Sequence, residues 1–189
     1  MRECAVAHIR LAMQHKITYV VGQKPRRVPL ALRLLAALRA RLSGSTTFEV
    51  PNTNLLPALG LRDIVFVDRA AYAGAPPRRH DIVVYRSEKH DGLLLASRVV
   101  GLPGERIELR DGRMHVNGVP IAEPFVDPDC ATAEYSRTWH GPPVPGGMVA
   151  LMGDLRDGSE DSRHVGPVPV ACLVGKVVGV AARCHAGVA

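Results

Sequence analysis

The sequence predicts a mainly β fold with a basic helical segment ahead of it, and three observations carry that expectation. From Thr46 onward, short apolar runs of strand length recur: DIVFVDR, DIVVYR, LLLASRVVGL, RIELRDGRMHVNG, GMVALMGD and ACLVGKVVGVAAR. Several of them alternate with period two, as half-buried strands do. The 18 glycines and 15 prolines punctuate almost every run, which favours many short strands and turns. Arg110-Asp111-Gly112-Arg113 and Val116-Asn117-Gly118 are hairpin signals, because Asp-Gly and Asn-Gly supply the positive φ angles of tight turns. A chain of 189 residues suffices for one domain with a sizeable core plus a short appendage. The composition change divides it into a segment 1–45 and a β domain 46–189.

Taken in order, residues 1–27 are mixed, with Ile17–Gly22 reading as a strand and QKPRR as a linker. VPLALRLLAALRARLSG then has Pro29 near its start and Gly44 at its end, the asymmetry of a helix. Leu30, Leu34, Leu35, Leu38 and Leu42 recur at helical spacing, and Arg33, Arg39 and Arg41 occupy the remaining surface. Two readings stand: a helix lying at a membrane interface, or one packed on this domain or on a partner. In the β half, the proline- and glycine-rich stretch from Asp127 to Gly147 reads as a long connection, either an inserted loop or a flap.

The formal net charge is +6 with pI near 9.5. Much of the excess sits in Lys24, Arg26, Arg27, Arg33, Arg39 and Arg41, while the rest of the chain is nearly balanced. A basic lobe of this kind suits an anionic surface, membrane lipid before nucleic acid. Cys4, Cys130, Cys172 and Cys184 are too dispersed for a zinc knuckle and contain no CxxC pair, so no metal is expected and the redox compartment stays open. No run approaches the roughly 20 apolar residues of a membrane span, because Arg10, Lys16, Lys24, Arg33 and Arg39 interrupt the N-terminal candidates. Neither a spanning helix nor a cleavable secretory signal is expected.

Four blocks follow one another in a fixed order: PNTNLLPAL, LRDIVFVDR with HDIVVYR, SRVVGLPGERIEL, and MGDLRDGSEDSR. Read by themselves, Leu102-Pro103-Gly104 makes a type II turn. In the last block, Asp154, Asp157 and Asp161 are placed to clamp Arg156 and Arg163, with Ser159 capping a turn. Together the blocks resemble the type I signal peptidases, membrane-bound serine/lysine proteases that remove secretory signal peptides. The resemblance runs from about Phe48 to Ala182 and implies coiled antiparallel β-sheets.

It also implies roles for particular residues. The family stretch Pro-Ser-Gly-Ser-Met-x-Pro-Thr-Leu aligns without a gap on Pro51 to Leu59, so the nucleophile position is Asn54. The general-base lysine, immediately before the arginine of the third block, falls on Ser97, ahead of Arg98. Acyl transfer needs an attacking oxygen or sulfur and a base to take its proton; an amide and an unactivated hydroxyl supply neither. The oxyanion and peptide-binding positions become Asn52, Asn54 and Leu55. Arg98, Asp154, Arg156, Asp157, Ser159, Asp161 and Arg163 become the residues that brace the site from behind. No cofactor is implied.

The resemblance therefore implies a signal-peptidase-like protein without its catalytic pair, binding an extended peptide or a signal-peptide-bearing protein by strand addition, or an export or assembly partner. The alternative is an active signal peptidase with a relocated nucleophile or base, for which Thr53 and Lys89 are the candidates; His80, His90 and His164 fall at neither position. Peripheral membrane contact through residues 24–43 is expected, with a soluble cytoplasmic protein as the alternative, and no nucleic-acid partner is expected.

Overall fold

The structure, a computed structural model, describes residues 29–31, 34, 35 and 44–184. The expected strand at Ile17–Gly22, Cys4 and most of the basic segment lie outside these residues. Of the expected helix, Leu30, Ala31, Leu34 and Leu35 are helical, and the three leucines are 72%, 62% and 61% exposed.

From Thr46 the fold is β. Strands β1 (Thr46–Glu49), β2 (Ile64–Asp68), β3 (Ile82–Arg86), β4 (Leu94–Gly101), β9 (Met148–Met152), β10 (Val168–Pro169) and β11 (Leu173–Ala182) form a seven-stranded sheet in the order β1-β2-β11-β3-β4-β9-β10. A four-stranded sheet has the order β7-β6-β5-β8, from β5 (Ile107–Arg110), β6 (Arg113–Val116), β7 (Val119–Pro120) and β8 (Trp139–His140). Each pairing is antiparallel.

The turn chemistry sets the registers. Asp111 and Gly112 (φ 50° and 76°) link β5 to β6, and Asn117 and Gly118 (φ 52° and 82°) link β6 to β7. Both pairs place positive φ at the two central positions, as a type I′ hairpin requires. At Leu102-Pro103-Gly104-Glu105 the Glu105 N–H donates to the Leu102 carbonyl and Gly104 has φ 84°, the geometry of a type II turn.

β11, the longest strand, slots between β2 and β3 and bends at register shifts around Val177–Gly179 and Val180–Ala182. Such bulges sharpen the local twist and coil the sheet. β4 is buried along nearly its whole length, so LLASRVVG reads as a continuous apolar run instead of an alternating one. Its two faces feed different cores. Leu95 and Val99 pack with Val83, Tyr85, Val149 and Leu151; Ala96 packs with Val50, Leu55, Leu59, Val65, Val67 and Val84; Val100 joins Ile107, Leu109, Met114 and Met152. The stretch Asp127–Gly147 is more ordered than a bare loop: it holds a 3-10 turn at Pro128–Cys130, a helical turn at Glu134–Arg137, and β8.

Candidate functional site

The site assembles around Gly153. The β4–β9 ladder pairs Val99 with Leu151 and Arg98 with Met152, so one rung further on Ser97 faces Gly153. Side chains on one rung of an antiparallel pair point to the same face, with Cβ atoms about 5 Å apart. A Cβ on Gly153 would overlap the Ser159 hydroxyl and come within 2.7 Å of the Asn54 carbonyl oxygen. Residues 54, 97 and 159, remote in sequence, therefore converge on one glycine. The contact is anchored by the Leu155 N–H, which donates to the Asn54 carbonyl at 2.9 Å.

Period two along β4 puts Ser97 on the face of Leu95 and Val99, beside the core containing Val83 and Leu151. The Ser97 hydroxyl is buried and has no hydrogen-bond partner among the described residues, and the same holds for the Ser159 hydroxyl and both polar atoms of the Asn52 carboxamide. Buried polar groups are rarely left unpaired. The Ser97 and Ser159 hydroxyls, each both donor and acceptor, are left with unused hydrogen-bonding capacity here.

Behind this point stands a charged frame. Arg98 donates from Nε and Nη2 to the two carboxylate oxygens of Asp154 at 2.8 and 2.6 Å, and from Nη1 to the His80 carbonyl. Phe125 stacks on its guanidinium at 3.8 Å. Burial pushes the Asp154 carboxyl above its usual value, while the Arg98 hydrogen bonds and charge pull it back.

Arg163 grips both oxygens of Asp161 and also donates to the Ser136 hydroxyl and the Arg156 carbonyl. Asp161 in turn accepts from the Gly153 N–H at 3.1 Å. The pairings differ from those the spacing suggested, since only Arg163–Asp161 forms within the loop. Asp154 reaches across to Arg98, and Asp157 accepts from the backbone N–H groups of Thr132 and Ala133 and from the Thr132 hydroxyl. Arg156, fully buried, donates to the Gly153 carbonyl and to Glu123. Ser159 follows the 3-10 turn Arg156–Gly158, but its hydroxyl makes no capping hydrogen bond among the described residues. The local charge pattern identified the loop but not its partners, because Glu123, Phe125, Thr132 and Ser136 come from a segment with no motif of its own.

Other expected residues fall as follows. Leu55 is fully buried in the core with Val50, Leu59 and Ala96, so it supports the site from beneath and offers no surface to a peptide. Thr53 lies at a bend, and Asn54 to Ala58 form a turn. Lys89 is 52% exposed and held by Glu160 at 2.5 Å, with His90 beside it. His80 packs its ring edge-on to Phe125, and desolvation lowers its pKa. His164 lies against Tyr135. Among the described residues no group of three or more His, Cys, Asp or Glu is placed to hold a metal ion, and no helix is long and apolar enough to cross a membrane.

Two antiparallel β-sheets with a buried Arg98–Asp154 frame make up a β scaffold. Comparison with known proteins makes the assignment specific: residues 27–181 match the family model described as signal peptidase, peptidase S26, and the chain belongs to that family. It is 31% identical over 156 residues to signal peptidase I of Leptolyngbya laminosa, covering 79% of this chain and 74% of that protein. With signal peptidase I of Bacillus caldolyticus it shares 30% identity over 167 residues, 82% of this chain and 89% of the relative. The crystal structure of a signal peptidase I from Enterococcus faecalis V583 superposes with a TM-score of 0.50 at 31% identity, covering 55% of this chain and 98% of that one.

Proposed function

We propose that this chain is a signal-peptidase-like protein that binds extended, signal-type peptides without cutting them. The observation that supports this most is what stands around Gly153: an asparagine at 54 and a serine at 97, neither able to act as an ionisable base at neutral pH. In a serine protease, loss of one catalytic member costs on the order of 10⁶ in turnover, so loss of both leaves binding as the activity the site can perform. Binding itself needs none of the missing groups. β1 pairs with β2 on one side only among the described residues, leaving an edge on which a peptide strand can add. The Asn52 carboxamide is buried and unpartnered, a donor that a peptide carbonyl would satisfy once the bend at Thr53 admits it.

Peripheral membrane contact is part of the same reading and is supported by the exposed Leu30, Leu34 and Leu35 beside the arginine-rich sequence of residues 24–43. Flotation with anionic vesicles, weakening with salt, is the expected behaviour.

Fluorescence anisotropy with a labelled signal peptide ending its processing site in Ala-x-Ala tests the main reading. Saturable binding without a cleavage product is expected, and Asn52→Asp, which removes the donor, weakens binding by about 1–3 kcal/mol. Product formation that depends on a residue of this chain ends the proposal. A relocated dyad instead requires that Thr53→Ala or Lys89→Ala abolish processing; the engagement of Lys89 by Glu160 speaks against it.

A further inference from the structure

A hollow away from the dyad positions is lined by Arg113, Met114, Ile121 and Val126. It is an open groove of about 740 Å³ between the β5–β6 turn, β7 and the segment leading to the Pro128 turn, with Glu123 and Arg137 also in its lining. Small-molecule sites typically occupy about 300–1,000 Å³ and combine an apolar lining with a few polar groups.

The floor is apolar: Met114 is buried, and Ile121 packs against the same core cluster. Charge is distributed unevenly over the rim. Glu123 is neutralised from behind by the buried Arg156, at 2.6 Å. Arg137 has only a loose partner in Asp111, 3.8 Å away and 92% exposed, a kind of surface pair that contributes little. Arg113 is exposed. With the exposed Asp111 carboxylate also on the rim, what remains available to a ligand is an apolar trough with two guanidiniums against one carboxylate, and a guanidinium's paired N–H groups match a carboxylate.

We propose that this groove binds a long-chain carboxylate, the hydrocarbon tail on Met114, Ile121 and Val126 and the head group held by Arg113 and Arg137. The site is independent of peptide binding at β1, yet its wall is tied to the frame around Gly153. Glu123 holds Arg156, which donates to the Gly153 carbonyl, and Thr132 and Ala133 hold Asp157.

Trp139, the single tryptophan of the chain, packs against the core cluster that contains Met114 and serves as the reporter. The full chain is titrated with dodecanoate below its micelle concentration and, in parallel, with dodecylammonium, following tryptophan fluorescence and heat of binding. Saturable dodecanoate binding is expected, with dodecylammonium weaker by about tenfold or more, the ratio that one ion pair's worth of free energy supplies. Arg113→Glu with Arg137→Glu, both at exposed positions, is expected to erase that preference while circular dichroism shows the fold unchanged. Val126→Trp, which fills the trough, is expected to block both ligands. Equal affinity for the two amphiphiles, insensitivity to the arginine changes, or binding only to anionic phospholipid vesicles with none to free dodecanoate would each overturn the proposal.

Discussion

Ser159 stands so close to Gly153 that a methyl group on the glycine would overlap its hydroxyl, with the Asn54 carbonyl oxygen 2.7 Å from the same point. The neighbours are a buried side chain and a backbone oxygen, and neither is a flexible end that can swing aside. Gly153→Ala is expected to destabilise the protein by about 1–3 kcal/mol, the usual cost of overpacking. A lower urea midpoint at unchanged slope would register it; an unaltered midpoint would mean that the two segments are not in contact.

The Arg98–Asp154 pair is buried and bidentate. Removing one partner strands a charge, so Arg98→Met and Asp154→Leu are each expected to cost about 3–5 kcal/mol. The double change, which leaves no unpaired charge, is expected to cost less than the sum. A double-mutant cycle by urea denaturation measures the coupling, and simple additivity would count against the pairing.

Asp157 gives a pH signature. Burial raises its carboxyl, but hydrogen bonds from Ser136, Thr132 and Ala133 outweigh burial and hold the folded pKa below the ordinary 3.8. A depressed pKa contributes stability that is fully present above the unfolded value and is lost as pH falls through the folded one. Denaturation midpoints between pH 6 and about pH 2 should therefore fall less steeply at the acid end for Asp157→Asn than for the wild type. Parallel curves would refute the assignment.

Leu55 separates support from contact. Leu55→Ala removes a fully buried side chain and is expected to cost about 2–5 kcal/mol. Peptide affinity per folded molecule should stay unchanged. A selective loss of affinity at full stability would restore Leu55 as a contact residue.

Much of the β domain was legible because its signals are local. Asp111-Gly112, Asn117-Gly118 and Pro103-Gly104 each act within four residues and form the turns their chemistry dictates. β4 was recognisable as a strand, although only the finished sheet shows that both its faces are covered. The expected site residues came from block order; the fold sets the Asn54 carbonyl and Ser159 against Gly153, next to the end of the ladder that carries Arg98. What sequence could not supply was long-range pairing. Glu123 for Arg156, Asp154 for Arg98 and Thr132 for Asp157 join positions 25 to 56 residues apart, and a charge pattern within one loop points first to partners in that loop. Leu55 is ambiguous in sequence for a related reason: an apolar residue beside a site reads equally as pocket floor or as core, and here it is buried.

The proposed function requires a peptide pocket that lacks an attacking group and a base. A lysine at 97 would lie on the β4 face of Leu95 and Val99, and apolar surroundings lower an amine's pKa toward the range of a useful base. The direct test is a signal-peptide cleavage assay on the wild type, Asn54→Ser, Ser97→Lys and the double variant. Cleavage by the double variant alone is predicted; cleavage by the wild-type chain, abolished by a substitution within it, would contradict the account.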